Sequence, residues 1–256
     1  MTLWVRYEQG GKTGFGSLSG DTIAVHEGDL FDGPQATGQT VPLGAVKLLT
    51  PVQPAKIVGL WNNFRALAAK QGLSQPPEPL WFIKAATSML APGGTIRRPK
   101  SYDGKIIFEG ELGVVIGKTA RAVPEAEATG CIFGYTCCND VTAVDILKKD
   151  ATFDQWTRCK GFDTFGPFGP AVATGLDPAK LVIKTILNGD ERQNIPVSDM
   201  WFSPAKLVHF ISQDLTLLPG DIISCGTSVG VGSMKPGSKV EVRIEGIGSL
   251  HNTLEG

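Results

Sequence analysis

The sequence predicts a mainly β protein with few helices, of the α+β class, and three observations carry that prediction. Glycine and proline number 32 and 17 among 256 residues, and they fall between short apolar segments, the texture of strands joined by many turns. Hydrophobic residues make up 42% against 19% charged, enough to bury a core and too apolar for disorder. Most of the apolar segments are of strand length, and helical periodicity is rare.

Residues 3–7, 22–26, 56–60, 80–84, 106–116, 132–137, 181–187, 221–225 and 239–244 read as strands. Asn188 and Gly189 tolerate positive φ and predict a hairpin between the apolar runs that flank them. Three helices are expected. Asn62 caps residues 63–71, which end at Gly72; Pro124 opens a short turn over 125–129; and Ser203 with Pro204 starts a helix reaching about residue 212. A boundary at Pro51 to Pro54 divides the chain into a small N-terminal β module, residues 1–52, and a larger domain, residues 53–256.

Charge and cysteine usage exclude several functions. The formal net charge is −1, which argues against a nucleic-acid partner. Arg6 and Glu8 interrupt the first residues before a secretory apolar region could form, and no run approaches membrane-spanning length, so no membrane partner is expected. Five cysteines in no paired spacing fit a reducing, cytoplasmic setting. With only His26, His209 and His251, a multi-histidine zinc or copper site is nearly excluded, and any metal must lean on oxygen ligands.

Two motifs fail in context. Gly226 to Gly230 has the Gly-x-Ser-x-Gly pattern of a nucleophile elbow, but Gly232, Pro236 and Gly237 occupy the place of the required helix. Gly11, Lys12 and Thr13 echo a phosphate loop, yet Arg6 stands where the first glycine should be, so a hairpin turn is expected.

A third group survives. Glu109 and Glu111 lie within the apolar run 106–116, and strand alternation puts both on one face, about 7 Å apart. Such a pair is either solvated, as on many half-exposed strands, or bound to something positive. Asp140 follows the apolar run 132–138 and adds a third carboxylate, unless it serves only a turn. An oxygen-only set suits Mg²⁺ or Mn²⁺, with Ca²⁺ also possible. Lys160 precedes an aromatic, Gly-Pro-rich segment reaching Pro170 that reads as a pocket wall. Near a divalent ion its pKa would be pressed downward, leaving it able to bind an enolate or shuttle a proton; otherwise it is an exposed basic group.

Together these pieces resemble the fumarylacetoacetate hydrolase (FAH) family, from about Lys56 to the end. Glu109-Gly-Glu111 is similar to its Glu-x-Glu motif, Gly134 to Asp140 to the third-ligand segment, Lys160 to Pro170 to its Lys-x-Phe-Asp-Thr-Phe-Gly-Pro loop, and Cys225 to Gly232 and Gly246 to Asn252 to its closing motifs. The resemblance implies a mixed β-sandwich roll of the FAH C-terminal-domain type and a homodimer. It implies Mg²⁺ or Mn²⁺ on Glu109, Glu111 and Asp140, and a small-molecule 2-oxo acid substrate. It implies catalysis by Lys160 and places Thr227 at the substrate carboxylate.

Departures from the family pattern bear on the reaction. Where family hydrolases carry a His and Glu on the lid helix, this chain has Leu67 and Lys70, and Val144 and Leu147 replace an Arg and Gln beyond the third ligand. Substrate contacts must then come from other groups, with Arg65, Lys70 and Lys84 as candidates. Hydrolytic C–C cleavage of a 3-acylpyruvate or related diketo acid stands first on family frequency. Decarboxylation or keto–enol isomerisation of a 2-oxo dicarboxylic acid stands close behind, because neither needs a water-activating dyad. A non-catalytic metal- and acid-binding relative is the third reading.

Overall fold

Short apolar strands assemble into three sheets in the computed structural model, which describes residues 1–256. The longest sheet runs in the order Gln35–Pro42, Thr22–Glu27, Lys12–Ser19, Thr2–Gln9, Gly166–Thr174, Ile132–Asn139, Gly110–Ile116, Ile222–Ser224, Ile57–Trp61, Leu80–Lys84. Its pairings along this path are antiparallel except that of Ile222–Ser224 with Ile57–Trp61, which is parallel. A five-stranded sheet has the order Asp190–Pro196, Val182–Leu187, Lys239–Ile244, Gly248–Leu254, Thr95–Ile96. A small third sheet joins Thr142–Ala143, Ile106–Phe108 and Gly232–Met234. The protein is thus mainly β, with mixed sheets and five α-helices.

The principal core lies between the long and five-stranded sheets. Leu112, Val114, Tyr135 and Cys137 from one layer share a cluster with Ile183, Ile195, Val242 and Leu250 from the other. The helix Pro204–Asp214 closes one side with Leu207, Val208 and Ile211. Its start is as predicted: Ser203 accepts from the Lys206 amide, and Pro204 occupies the first turn. Behind the long sheet, Val115, Cys138, Phe168, Val172 and Ile222 form a second cluster. Central strands are therefore buried on both faces, and all seven residues of Gly110–Ile116 are buried.

Four expectations need correction. The run 106–116 is not one strand. It breaks at Glu109, and its two halves enter different sheets. Asn62 does not cap the first helix. Asn62 has φ 54° and donates to Ser74 O, the helix is Arg65–Gln71, and the Asp199 carboxylate accepts the Ala66 amide from outside. Val144–Leu147 and Trp156–Lys160 are further helices, too short for periodicity to show. Much of the Gly-Pro-rich segment is the strand Gly166–Thr174, held between Thr2–Gln9 and Ile132–Asn139. The Asn188-Gly189 hairpin is present, with φ 54° and 93°, and Gly10 and Gly11 turn the chain ahead of Lys12.

Buried Asp221 fastens the parallel pair. Its carboxylate accepts the amides of Ala55, Lys56 and Leu218 and pairs with the Lys56 ammonium. These bonds align the start of Ile57–Trp61 with Ile222–Ser224, whose far end meets the candidate site. Asp221→Ala is predicted to lower the unfolding free energy by about 3 kcal/mol, because three amides and an ammonium lose their acceptor. Chemical denaturation measures this, and a loss below about 1 kcal/mol would mean that water replaces the carboxylate.

Candidate metal centre and active site

The break at Glu109 creates the site. Residues 106–108 pair with Thr142–Ala143, while Gly110–Ile116 pairs with Ile132–Asn139. The chain therefore changes sheets opposite Asp140. At that point side-chain and main-chain bonds replace the ladder. The Glu109 amide donates to Asn139 Oδ1 at 3.0 Å, and the Asp140 amide donates to Glu109 O at 2.9 Å. One oxygen each from Glu109, Glu111 and Asp140 lie within 4.8 Å of one another. The three sequence-predicted carboxylates converge, and the solvated-face alternative fails for the Glu109–Glu111 pair because Glu111 is 0% exposed and half-buried Glu109 is paired with Lys160, while Asp140 is buried as well.

Each carboxylate has distinct support. Glu111 Oε2 accepts from Ser224 Oγ at 2.5 Å and from the Gly226 amide at 2.9 Å. Its Oε1 is buried with no hydrogen-bond partner. Asp140 is gripped from two sides, by Lys84 through Oδ1 and by Lys160 through Oδ2 at 2.6 Å. Lys160 also reaches Glu109 Oε2 at 2.7 Å, and Thr142 Oγ1 stands 3.0 Å from Glu109 Oε1.

Burial and mutual charge set the protonation. Glu111 is pushed up to about 8, first by burial and then by repulsion from Asp140 and Glu109. Burial also raises Glu109, against the attraction of Lys160. Asp140 is lowered, because Lys160 and Lys84 outweigh its burial. Lys84 is lowered by burial despite Asp140. Lys160 moves the other way: burial opposes its charge, but Asp140, Glu109 and Glu111 together hold it above the ordinary lysine range. The downward pressure expected for Lys160 presumes an ion that neutralises those same carboxylates.

The donor set fits a hard divalent cation. It is all oxygen, its members already converge, and the partnerless Oε1 of Glu111 is the kind of buried atom that a cation satisfies. No histidine is near. His26 packs on Trp4, His209 bonds Val123 O, and His251 lies beside Glu241.

Lys160 is carried on the helix Trp156–Lys160, whose first residue stacks on Phe82 at 5.6 Å and meets Trp61 at 5.1 Å. The Lys160 ammonium lies 5.3 Å from the Phe82 ring centroid. These aromatics, with Asn139 and Ser224, escaped the sequence reading. Trp156 four residues before Lys160 was the available signal.

The remaining candidates divide. Lys84 is fully buried against Asp140 and Val141 O. The Thr227 hydroxyl donates to Gly110 O at 2.9 Å and accepts from Gln193, so its one proton is committed and a carboxylate there would have to meet backbone N–H groups. Arg65 is not a partner of the carboxylates; it donates to Ser198 O and Met200 O and covers Trp201 at 4.7 Å. Lys70 is exposed. Ser228 precedes no helix, so the elbow is absent.

Comparison with known proteins identifies the family to which this fold belongs. Residues 56–255 match the model of the fumarylacetoacetate (FAA) hydrolase C-terminal family, and residues 3–51 match Rv2993c-like, N-terminal. Protein Rv2993c of Mycobacterium tuberculosis is 42% identical over 235 residues, covering 91% of this chain and 86% of that protein. Oxaloacetate tautomerase YisK of Bacillus subtilis is 34% identical over 226 residues, covering 83% and 74%. The crystal structure of 2-hydroxyhepta-2,4-diene-1,7-dioate isomerase from Mycobacterium marinum superposes with a TM-score of 0.91 at 37% identity, over 100% of this chain and 98% of that one. With the sheet break, the three carboxylates and these matches together, the chain belongs to the fumarylacetoacetate hydrolase family.

Proposed function

We propose that the protein is a divalent-metal-dependent enzyme acting on 2-oxo acids, and that its reaction is keto–enol tautomerisation or decarboxylation of a 2-oxo dicarboxylic acid such as oxaloacetate. One observation carries the choice of reaction. The titratable groups that converge are three carboxylates and two lysines, and the three histidines are engaged elsewhere. Hydrolysis of an acylpyruvate needs a base for water, and Leu67 and Lys70 supply none on the helix Arg65–Gln71. Enolate chemistry needs only charge stabilisation at oxygen and a proton at carbon. The names of the tautomerase and isomerase relatives support the same direction.

Glu109, Glu111 and Asp140 are the residues that would hold Mg²⁺ or Mn²⁺, with Ca²⁺ also compatible with an oxygen-only set. Bound there, the ion supplies Lewis-acid stabilisation of enolate charge. Lys160 presents a cation and a proton donor beside Glu109 and Asp140. When a carboxyl group leaves as CO₂, the bond's electron pair becomes the enolate, and Lys160 returns a proton to carbon. In tautomerisation the enol O–H proton leaves to solvent as Lys160 protonates carbon, and Lys160 is reprotonated from solvent, so the two forms interconvert with no net proton change. Lys84 offsets the Asp140 charge from the other side and is the more readily deprotonated lysine. Phe82 lies against the Lys160 ammonium, Trp156 stacks on Phe82 and meets Trp61, and Lys160 is 3% exposed.

Metal affinity is predicted to rise with pH up to about 8. Glu111 must lose its proton to act as a ligand and titrates near there, so affinity should fall about tenfold per pH unit below that point. Calorimetry of Mn²⁺ binding between pH 6 and 9, in buffers of different ionisation enthalpy, measures both the slope and the released proton. A flat profile would exclude Glu111 as a ligand.

Turnover provides the second test. With Mg²⁺ present, oxaloacetate should lose its enol absorbance or release CO₂, and acetylpyruvate should not be cleaved. Lys160→Ala should keep the ion and lose about 10²-fold or more in rate, while Glu109→Ala and Asp140→Ala lose the ion. Cleavage of acetylpyruvate alone would restore the hydrolase reading.

A further inference from the structure

Gln193 lies in the five-stranded sheet, on Asp190–Pro196, yet its side chain serves the candidate site. It is 1% exposed. Its Oε1 accepts the Gly110 amide at 3.0 Å, and its Nε2 lies 2.9 Å from Thr227 Oγ1, 3.2 Å from Ser228 O and 3.4 Å from Val229 O. Thr227 Oγ1 donates in turn to Gly110 O. The result is a closed ring. Gly110 N–H meets Gln193, Gln193 meets Thr227, and Thr227 returns to the Gly110 carbonyl.

The backbone has been shaped to allow this ring. A Cβ on Gly110 would fall 1.9 Å from Thr185 Oγ1, the residue paired with Gln193 across the sheet. A Cβ on Gly230 would fall 2.0 Å from Arg192 O. Gly110 therefore approaches Thr185, and Gly230 approaches Arg192, at distances only glycine permits. Gly110 sits between Glu109 and Glu111, and the Gly226 amide at the other end of the loop bonds Glu111.

We propose that Gln193 is a positioning residue, fixing the 226–230 loop, and with it the substrate side of the site, at a set distance from the Glu109–Glu111 carboxylates. The inference rests on the proposed function only in treating that loop as the side that meets substrate. Chemistry explains the residue type. The position needs an acceptor and a donor at once, buried and uncharged, which an amide provides. A glutamate keeps the acceptor for Gly110 but sets a carboxylate against the carbonyls of Ser228 and Val229, so the loop must move. Misplacing a binding group by about 1 Å is enough to cost orders of magnitude in use of substrate.

The test compares Gln193→Glu with the wild-type protein in ion binding, oxalate binding and turnover. Mn²⁺ affinity by calorimetry should change by less than about threefold, because all three carboxylates remain. Oxalate affinity on the Mn²⁺-loaded protein should fall about tenfold or more, with KM for oxaloacetate rising in step and kcat changing by less than about threefold. Amide exchange of the 226–230 loop should accelerate about tenfold, a readout independent of ion and activity. If Gln193→Glu does not fold, Gln193→Met, neutral and of similar length, carries the same comparison. Unchanged oxalate affinity and KM in a folded variant would overturn the proposal. So would a parallel fall of melting temperature, Mn²⁺ and oxalate affinity, or failure of both variants to fold, since either makes Gln193 a general brace. Wild-type protein that binds Mn²⁺ and oxalate but leaves oxaloacetate unchanged would sink the proposed reaction and leave the binding and exchange comparison standing. Without Mn²⁺ binding, the exchange comparison still decides.

Discussion

Three converging carboxylates, two buried and one half-buried, are the constraint around which this protein is built. Desolvating one ionised carboxylate is costly, and neighbouring like charges add to the cost. The structure answers with two buried lysines. Lys84 and Lys160 hold Asp140 between them, Lys160 also spans to Glu109, and Glu111 is left to the Ser224 hydroxyl and the Gly226 amide. The unequal sharing explains the unequal protonation: Asp140 keeps its charge most easily, whereas Glu111, farthest from compensation, holds a proton to about pH 8.

Meeting that constraint required a defect in a strand. An unbroken ladder through 106–116 would have committed the Glu109 backbone to one sheet and aligned its side chain with the Val115 face. Instead Asn139 Oδ1 takes the Glu109 amide, Glu109 O takes the Asp140 amide, and the chain passes between sheets with those groups satisfied. Gly110 gives the turn its clearance against Thr185. The five-stranded sheet thus does more than cover the core, since its Thr185 and Gln193 form the surface on which the break is set.

Much of this was legible in the sequence, and the misses have a common cause. Strands such as Leu80–Lys84 and Lys239–Ile244, the Ser203-Pro204 helix start and the Asn188-Gly189 hairpin follow from local rules and appear as read. The carboxylate trio was visible because charged residues in apolar runs are conspicuous. What failed was tertiary. Periodicity cannot show that 106–116 enters two sheets, because each half is apolar and strand-like by itself. Two helices of four and five residues leave too short a pattern, and Gly-Pro content disguised Gly166–Thr174, where neighbouring strands decide the outcome. Gln193 looked like an ordinary polar residue on a hairpin; only its pairing with Gly110 and Thr227, far away in sequence, gives it meaning.

Charge balance also narrows what the site can accept. With Glu111 ionised, as it must be to act as a ligand, three carboxylates and two ammonium groups leave one formal negative charge, which attracts a cation and repels a bare anion; with Glu111 protonated the charges balance. In the proposed function a divalent ion would displace the Glu111 proton, reverse the sign and let the same pocket receive a chelating acid. Once both are in place, the remaining mobile proton belongs to the lysines. Lys160 is held cationic by Asp140 and Glu109, while burial and the neighbouring Lys160 weaken the hold of Lys84 on its proton. Such a pair can give and take a proton at carbon. No imidazole joins them, and the helix Arg65–Gln71 carries Leu67 and Lys70 and is held by Arg65 on the carbonyls of Ser198 and Met200. The composition of the centre and the side chains of that helix are the two observations on which the proposed enolate reaction rests.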